Sequence, residues 1–219
     1  MVADKHPGYP EDNLHKSARH NPLADDARLI LASGSPTRAR LLRAAGVDFA
    51  VEVPTVDEPA LRARTTDGAE AASIIGTAKA VAISVQYPSA WIIGSDQVLA
   101  LGATLLGKPG NRAAARQQLA QLSGRTHQLL TSVTVARGGK PVWQHAEVAE
   151  LTMRPLSGAA IERYVGMVGE EVLGSPGAYH LEGLGASLFE TAQGDFFSIL
   201  GLPLLPLLGY LRAQGVIPE

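Results

Sequence analysis

Two stretches hold residue types from which a catalytic site could be built. The first runs Leu29-Ile-Leu-Ala-Ser-Gly-Ser-Pro-Thr-Arg38 and continues to Gly46. A short apolar run of buried-strand type meets a turn of small residues, Ser33, Gly34 and Ser35. Ser35 then suits the N-cap of a helix whose first residue is Pro36. Free backbone N–H groups, the positive end of the helix dipole, two hydroxyls and the Arg38 guanidinium together suit an anion, above all phosphate. The stretch is neither a Walker loop nor a GxGxxG turn, and an ordinary capped helix with a solvated arginine would read the same way. The second stretch is Trp91-Ile-Ile-Gly-Ser-Asp-Gln-Val-Leu-Ala-Leu101, an apolar strand interrupted at Gly94-Ser95-Asp96-Gln97. A buried, unpaired carboxylate is costly. Asp96 is therefore either exposed at a strand-end turn or an acid kept for chemistry, and these residues alone leave both open.

The elements that must position these groups alternate along the chain. Leu41, Leu42 and Ala45 give the opening helix an apolar face, and Gly46 ends it. A strand is expected over residues 47–53, around Phe49 and Val51, closing on the adjacent acids Asp57 and Glu58. Asp67 can cap a long helix from residue 68 to about 85, with Lys79 on its less apolar side. Gly107-Lys108-Pro109-Gly110 reads as a turn, and Asn111 caps a helix over 112–122. Strands over 127–136 and 143–153 flank a hairpin at Gly138-Gly139. Ser157 caps a helix to about 168. A glycine-rich segment over 174–185 then marks either backbone approaching a ligand or a plain loop. Short strands at 187–190 and 196–200 around Gln193-Gly194-Asp195, and a last helix over 204–213, complete an α/β chain with a mixed sheet and flanking helices.

Composition narrows the function classes. The chain has 219 residues, a formal net charge of −2 and no cysteine. Disulfides, thiolate catalysis and cysteine-ligated zinc are excluded. No basic footprint for duplex nucleic acid is present. The longest apolar run near the C-terminus is about half of a membrane span and carries prolines. Residues 1–27 are polar, contain His6, His15 and His20, and lack the apolar core of a signal peptide. They read as a flexible arm preceding a domain over 28–219, in a cytoplasmic protein without a membrane partner.

Five pieces in register resemble the Maf family of nucleoside triphosphate pyrophosphatases, over about residues 28 to 212. They are Leu31-Ala-Ser-Gly-Ser-Pro-Thr-Arg38 with Leu41-Leu42; Val56-Asp-Glu58; Ile93-Gly-Ser-Asp-Gln97; Gly107-Lys-Pro109 with Leu122-Ser-Gly-Arg-Thr-His127; and Gly177-Ala-Tyr-His-Leu-Glu-Gly-Leu-Gly185 with Gly201-Leu-Pro203. The resemblance implies an elongated Maf/ITPase-like α/β fold of two lobes around a cleft, in a homodimer. It implies a house-cleaning role in nucleotide metabolism, with hydrolysis of a nucleoside triphosphate to monophosphate and pyrophosphate and a divalent cation, Mg²⁺ or Mn²⁺, as cofactor. By position Asp96 would be the general base. Ser33, Ser35, Arg38, Lys79 and Lys108 would hold phosphates, and Glu58 would help place the metal. Base choice in the family is associated with the positions of Thr37, Gln97 and Glu182. A dTTP/UTP subgroup carries Arg, Thr and Gln there, and a 7-methyl-GTP subgroup Trp, Gln and Glu. Gln97 and Glu182 match the second pattern, and Thr37 replaces its tryptophan. The alternatives are a dTTP/UTP pyrophosphatase and a nucleotide-binding protein without catalysis, acting in cell-division control.

Overall fold

The computed structural model describes residues 29–219; the arm expected over residues 1–27 lies outside the described residues. Strand β1 (Leu29–Ala32) leads through the small-residue turn into helix α1 (Pro36–Ala44). Ser35 caps that helix, its hydroxyl accepting the Arg38 N–H. Gly46, at a φ of 73° that glycine tolerates, ends it. Leu41 and Leu42 are buried, but Ala45 is exposed, so the apolar face is narrower than expected. The strand expected over 47–53 shrinks to β2 (Ala50–Val51), because only Ala50 and Val51 pair with β1. The two acids do not close a strand. Asp57 caps helix α2 (Glu58–Arg62), its carboxylate accepting the Ala60 N–H, with Pro59 in the first turn.

Helix α3 (Gly68–Ser84) is capped by Asp67. It is followed by β3 (Trp91–Leu101), β4 (Thr104–Leu106) and α4 (Arg112–Leu122). The hairpin of β5 (Thr126–Arg137) and β6 (Lys140–Met153) turns on Gly138 and Gly139, both at positive φ. After α5 (Gly158–Val168) the chain passes through short 3₁₀ turns to β7 (Phe189–Gln193), so residues 187 and 188 are not strand. The strand expected over 196–200 is instead helix α6 (Phe196–Ile199), because Asp195 accepts the Ser198 N–H as an N-cap. Helix α7 (Leu204–Ala213) ends the fold.

The sheet order is β2-β1-β3-β5-β6-β7, with β4 also on β3. β1 runs parallel to β2 and β3, and the remaining pairs are antiparallel. The expected interruption at residues 94–97 does not occur: β3 continues through it, paired to β5 without a break. What changes there is the other edge. β1 stops at Ala32, opposite Gly94, and β4 begins to pair only at Leu99. Between them lie Ser95, Asp96, Gln97 and Val98, where a ligand can approach beyond the carboxyl end of a parallel strand.

The same point divides the apolar packing. Ile93, Val133 and Val135 belong to one core with β1, α1 and α7. Leu99, Leu101 and Leu129 belong to another with α4, α5, β6 and residues 172–188. The two long strands thus anchor a lobe at each end and carry polar residues where the lobes meet. Among the described residues no helix is long and apolar enough to cross a membrane.

Candidate functional site

A cleft of about 390 Å³ opens at this junction, within the range typical of small-molecule sites. Its floor is made by α3 lying against β3. A Cβ on Gly94 would run into the Gly76 carbonyl and come within 2.6 Å of the Ala80 nitrogen, so only glycine permits the approach. That closeness brings Lys79 to Asp96. The expectation that Lys79 sits on the less apolar side of its helix is wrong: it shares the buried face with Ala72, Ile75, Ala80 and Ile83. A four-carbon stem carries its charge through apolar packing to a polar end. There Nζ donates to Asp96 Oδ1 and Glu58 Oε1, each at 2.8 Å.

Asp96 is 5% exposed in mid-strand, which removes the exposed-turn alternative. Its Oδ1 is held by Lys79, but Oδ2 has no hydrogen-bond partner. Arg62 Nη2 stands 3.7 Å from that oxygen, too far for a hydrogen bond. A buried acceptor with no donor is costly in a finished fold. Here it lines an open cleft, where a water or ligand can satisfy it.

Arg38 is aimed by two acceptors, the Gly201 carbonyl on Nε at 2.7 Å and Ser33 Oγ on Nη1 at 3.2 Å. Burial pulls its pKa down against the opposing pull of Asp96 and Glu58. An arginine so placed remains cationic. Desolvation also lowers the pKa of Lys108, with the Arg38 and Lys79 charges adding to the shift and Glu58 and Asp96 opposing it. For Glu58, burial favours the neutral acid, but the hydrogen bond and charge of Lys79, with Lys108 and Arg62, outweigh it and leave the carboxyl below its usual range.

Of the phosphate candidates, Ser35, Arg38 and Lys108 line the cleft. Ser33 and Lys79 stand behind it: the Ser33 hydroxyl accepts from Arg38 and Ser35, and Lys79 bridges the two carboxylates. Thr37, Gln97 and Glu182 line the same cleft. Gln97 Nε2 lies 2.9 to 3.0 Å from Thr131 Oγ1 and the carbonyls of Ser198 and Ile199. Three acceptors fix which end of the amide is nitrogen, and they leave Oε1 for a ligand. Glu182, on the glycine-rich segment, accepts from Arg40 of α1 at 2.7 Å, so an ion pair joins the two walls. Below that segment His127 Nε2 meets the Tyr179 hydroxyl at 2.7 Å, both rings buried.

A divalent cation fits this donor set, although no group of three His, Cys, Asp or Glu side chains that could hold a metal occurs among the described residues. Mg²⁺ characteristically takes one or two carboxylates and completes its shell with waters and phosphate oxygens. Glu58 can supply such a carboxylate, which leaves the free Oδ2 of Asp96 to accept a proton. The sequence reading missed Arg62, Thr131 and the carbonyls of Ser198, Ile199 and Gly201. Arg62 had a signal, since it stands four residues after Glu58, one turn along a helix that Asp57 and Pro59 announce. The carbonyls had none, because any residue supplies one.

A family model described as Maf-like protein matches residues 28–214. A protein from Brucella abortus named 7-methyl-GTP pyrophosphatase is 45% identical over 87% of this chain and 98% of its own. One from Paramagnetospirillum magneticum named nucleoside triphosphate pyrophosphatase is 46% identical over 85% and 98%. A solved nucleoside-triphosphatase, a dITP/XTP pyrophosphatase from Mycobacterium abscessus, overlaps 59% of this chain and 75% of its own at 17% identity and a TM-score of 0.36.

Proposed function

The chain belongs to the Maf-like protein family, and we propose that its cleft hydrolyses the bond between the α and β phosphates of a nucleoside triphosphate. The observation that carries this reading is Asp96: a carboxylate buried in mid-strand, one oxygen held by Lys79 and the other free in a cleft lined by Arg38, Arg62 and Lys108. Water attacking the α-phosphorus must lose a proton, and Asp96 Oδ2 is the acceptor placed to take it. As the new P–O bond forms, the bond to the bridging oxygen breaks and pyrophosphate leaves with its electron pair. Arg38, Lys108 and the N-terminus of α1 offset the charge on the phosphate oxygens. A divalent metal held by Glu58, with waters and phosphate oxygens completing its shell, would add Lewis-acid polarisation when bound.

The base side favours a guanine-type ring, 7-methyl-GTP above all. Gln97 offers Oε1 and Glu182 offers only acceptors, which suits a base edge that carries donors, such as guanine N1–H and N2–H. A carboxylate also attracts the positive charge of an N7-methylated ring. Uracil and thymine O4 would meet repulsion, at about 1–3 kcal/mol for each mismatched group. The names of relatives such as the Brucella abortus protein agree with this preference. The test is kcat/KM across 7-methyl-GTP, GTP, dTTP and UTP for the wild type and Glu182→Gln. The wild type should prefer the guanine nucleotides, and the variant should move about 5- to 150-fold toward dTTP and UTP. A wild type faster on dTTP or UTP than on either guanine nucleotide contradicts the base assignment.

A further inference from the structure

We infer that Arg62 is the residue that grips the α-phosphate, the group under attack; this rests on the proposed hydrolysis and deepens it. The other cations set the context. Arg38 is turned by the Gly201 carbonyl and Ser33, Lys79 behind the cleft is engaged by Asp96 and Glu58, and Lys108 lines the cleft beside Gly107. Arg62 lines the cleft, yet its Nη1 is buried without a hydrogen-bond partner. Its Nη2 reaches only to 3.7 Å from Asp96 Oδ2, which also lacks a partner. Arg62 and Asp96 thus each carry an unpartnered polar atom, Nη1 and Oδ2, while the approach of Nη2 to Oδ2 stops beyond hydrogen-bond distance, which leaves a place for a third group.

Position selects that group. Asp96 Oδ2 is the proton acceptor, so the attacking water and the α-phosphorus must lie beside it, and the leaving pyrophosphate must depart on the far side in line with attack. A guanidinium next to Oδ2 is therefore next to the non-bridging oxygens of the α-phosphate. Its planar fork matches two such oxygens, which a point charge does not. Helix α2 also allows the adjustment. None of its residues is buried, and it is tied to the floor through Glu58 to Lys79 and by Arg62 itself. The same short helix thus carries the Glu58 carboxylate and, one turn later, a cation for the phosphate under attack.

The nucleoside monophosphate product retains the α-phosphate, and pyrophosphate does not. Calorimetric titration of the full chain with GMP, UMP and inorganic pyrophosphate, for wild type, Arg62→Ala and Arg62→Lys, therefore separates the possibilities without turnover. For whichever monophosphate the wild type binds, Arg62→Ala should weaken binding by about tenfold or more while pyrophosphate stays within about twofold, as expected for loss of one charge-assisted contact. Arg62→Lys should recover part of the loss, since it keeps charge without the fork. Turnover by Arg62→Ala should fall in kcat more than KM rises, because the contact strengthens as charge grows on the attacked phosphate. Monophosphate binding unchanged in Arg62→Ala overturns the inference. So does an equal loss of monophosphate and pyrophosphate, which would make Arg62 a support for α2. A wild type that hydrolyses no triphosphate, yet whose monophosphate binding depends on Arg62, would sink the proposed reaction and leave this contact standing.

Discussion

The floor of the cleft and its rim are held by different forces. On the floor, Asp96 sits in a strand paired to β5 without a break from Ile92 to Ala100, under a helix brought close by Gly76 and Gly94. Lys79, buried in that helix, fixes one carboxylate oxygen. The rim has no such frame. Helix α2 buries none of its residues, and Glu182 stands on a segment of short 3₁₀ turns, tied across the cleft by its pair with an exposed Arg40. Surface ion pairs are worth about 0–1 kcal/mol, so this tie across the cleft is weaker than the strand pairing and the buried lysine that hold the floor. A base must be held to within a fraction of an ångström to take a proton, whereas selection among bases tolerates a wall that adjusts.

The difference can be tested from the floor first. Asp96→Asn keeps the shape and removes the base, and turnover should fall by about 10²–10⁴-fold while nucleotide affinity changes only a few-fold. Steady-state kinetics beside nucleotide titration measures both. A residual rate within about tenfold of wild type would remove Asp96 from the role.

Beneath the rim lies one feature built like the floor, and it sharpens the contrast. Burial lowers the His127 pKa from 6.5 to about 4, so the folded protein holds the ring neutral against Tyr179. The unfolded chain binds a proton on this ring near pH 6.5 and the folded one only near pH 4. Stability is therefore full above pH 6.5 and is lost as pH falls between those values, by about 3 kcal/mol from this residue. The midpoint of urea unfolding should drop across that window. In His127→Asn, less stable at pH 7.5, the drop should be shallower, and an equally steep drop would show that other groups carry it.

The sequence made the local frame readable where a residue's own chemistry dictates it. Ser35, Asp67, Asn111 and Ser157 each cap the helix expected after them. The errors arose where tertiary contacts decide. Gly94-Ser95-Asp96-Gln97 looked like a break in a strand because polar residues interrupt an apolar run, yet β5 pairs with all four. The polarity there records the loss of β1 as a neighbour, which no local pattern encodes. Lys79 reads as lying on the less apolar side of its helix because it is charged, whereas two carboxylates distant in sequence draw it inward. Asp57 and Pro59 announce a helix, but Asp57 and Glu58 read together as the close of a strand pass over it, and Arg62 is passed over with it. The resemblance brought together Glu58, Lys79 and Asp96, which the sequence separates and Lys79 joins by hydrogen bonds.

The most direct test of the account is the identity of the products formed by wild-type protein from 7-methyl-GTP or GTP with Mg²⁺ in ¹⁸O-enriched water. Equal amounts of monophosphate and pyrophosphate, with the isotope in the monophosphate alone, are expected from attack at the α-phosphorus beside Asp96. Isotope in pyrophosphate, or release of nucleoside diphosphate and orthophosphate, would contradict it.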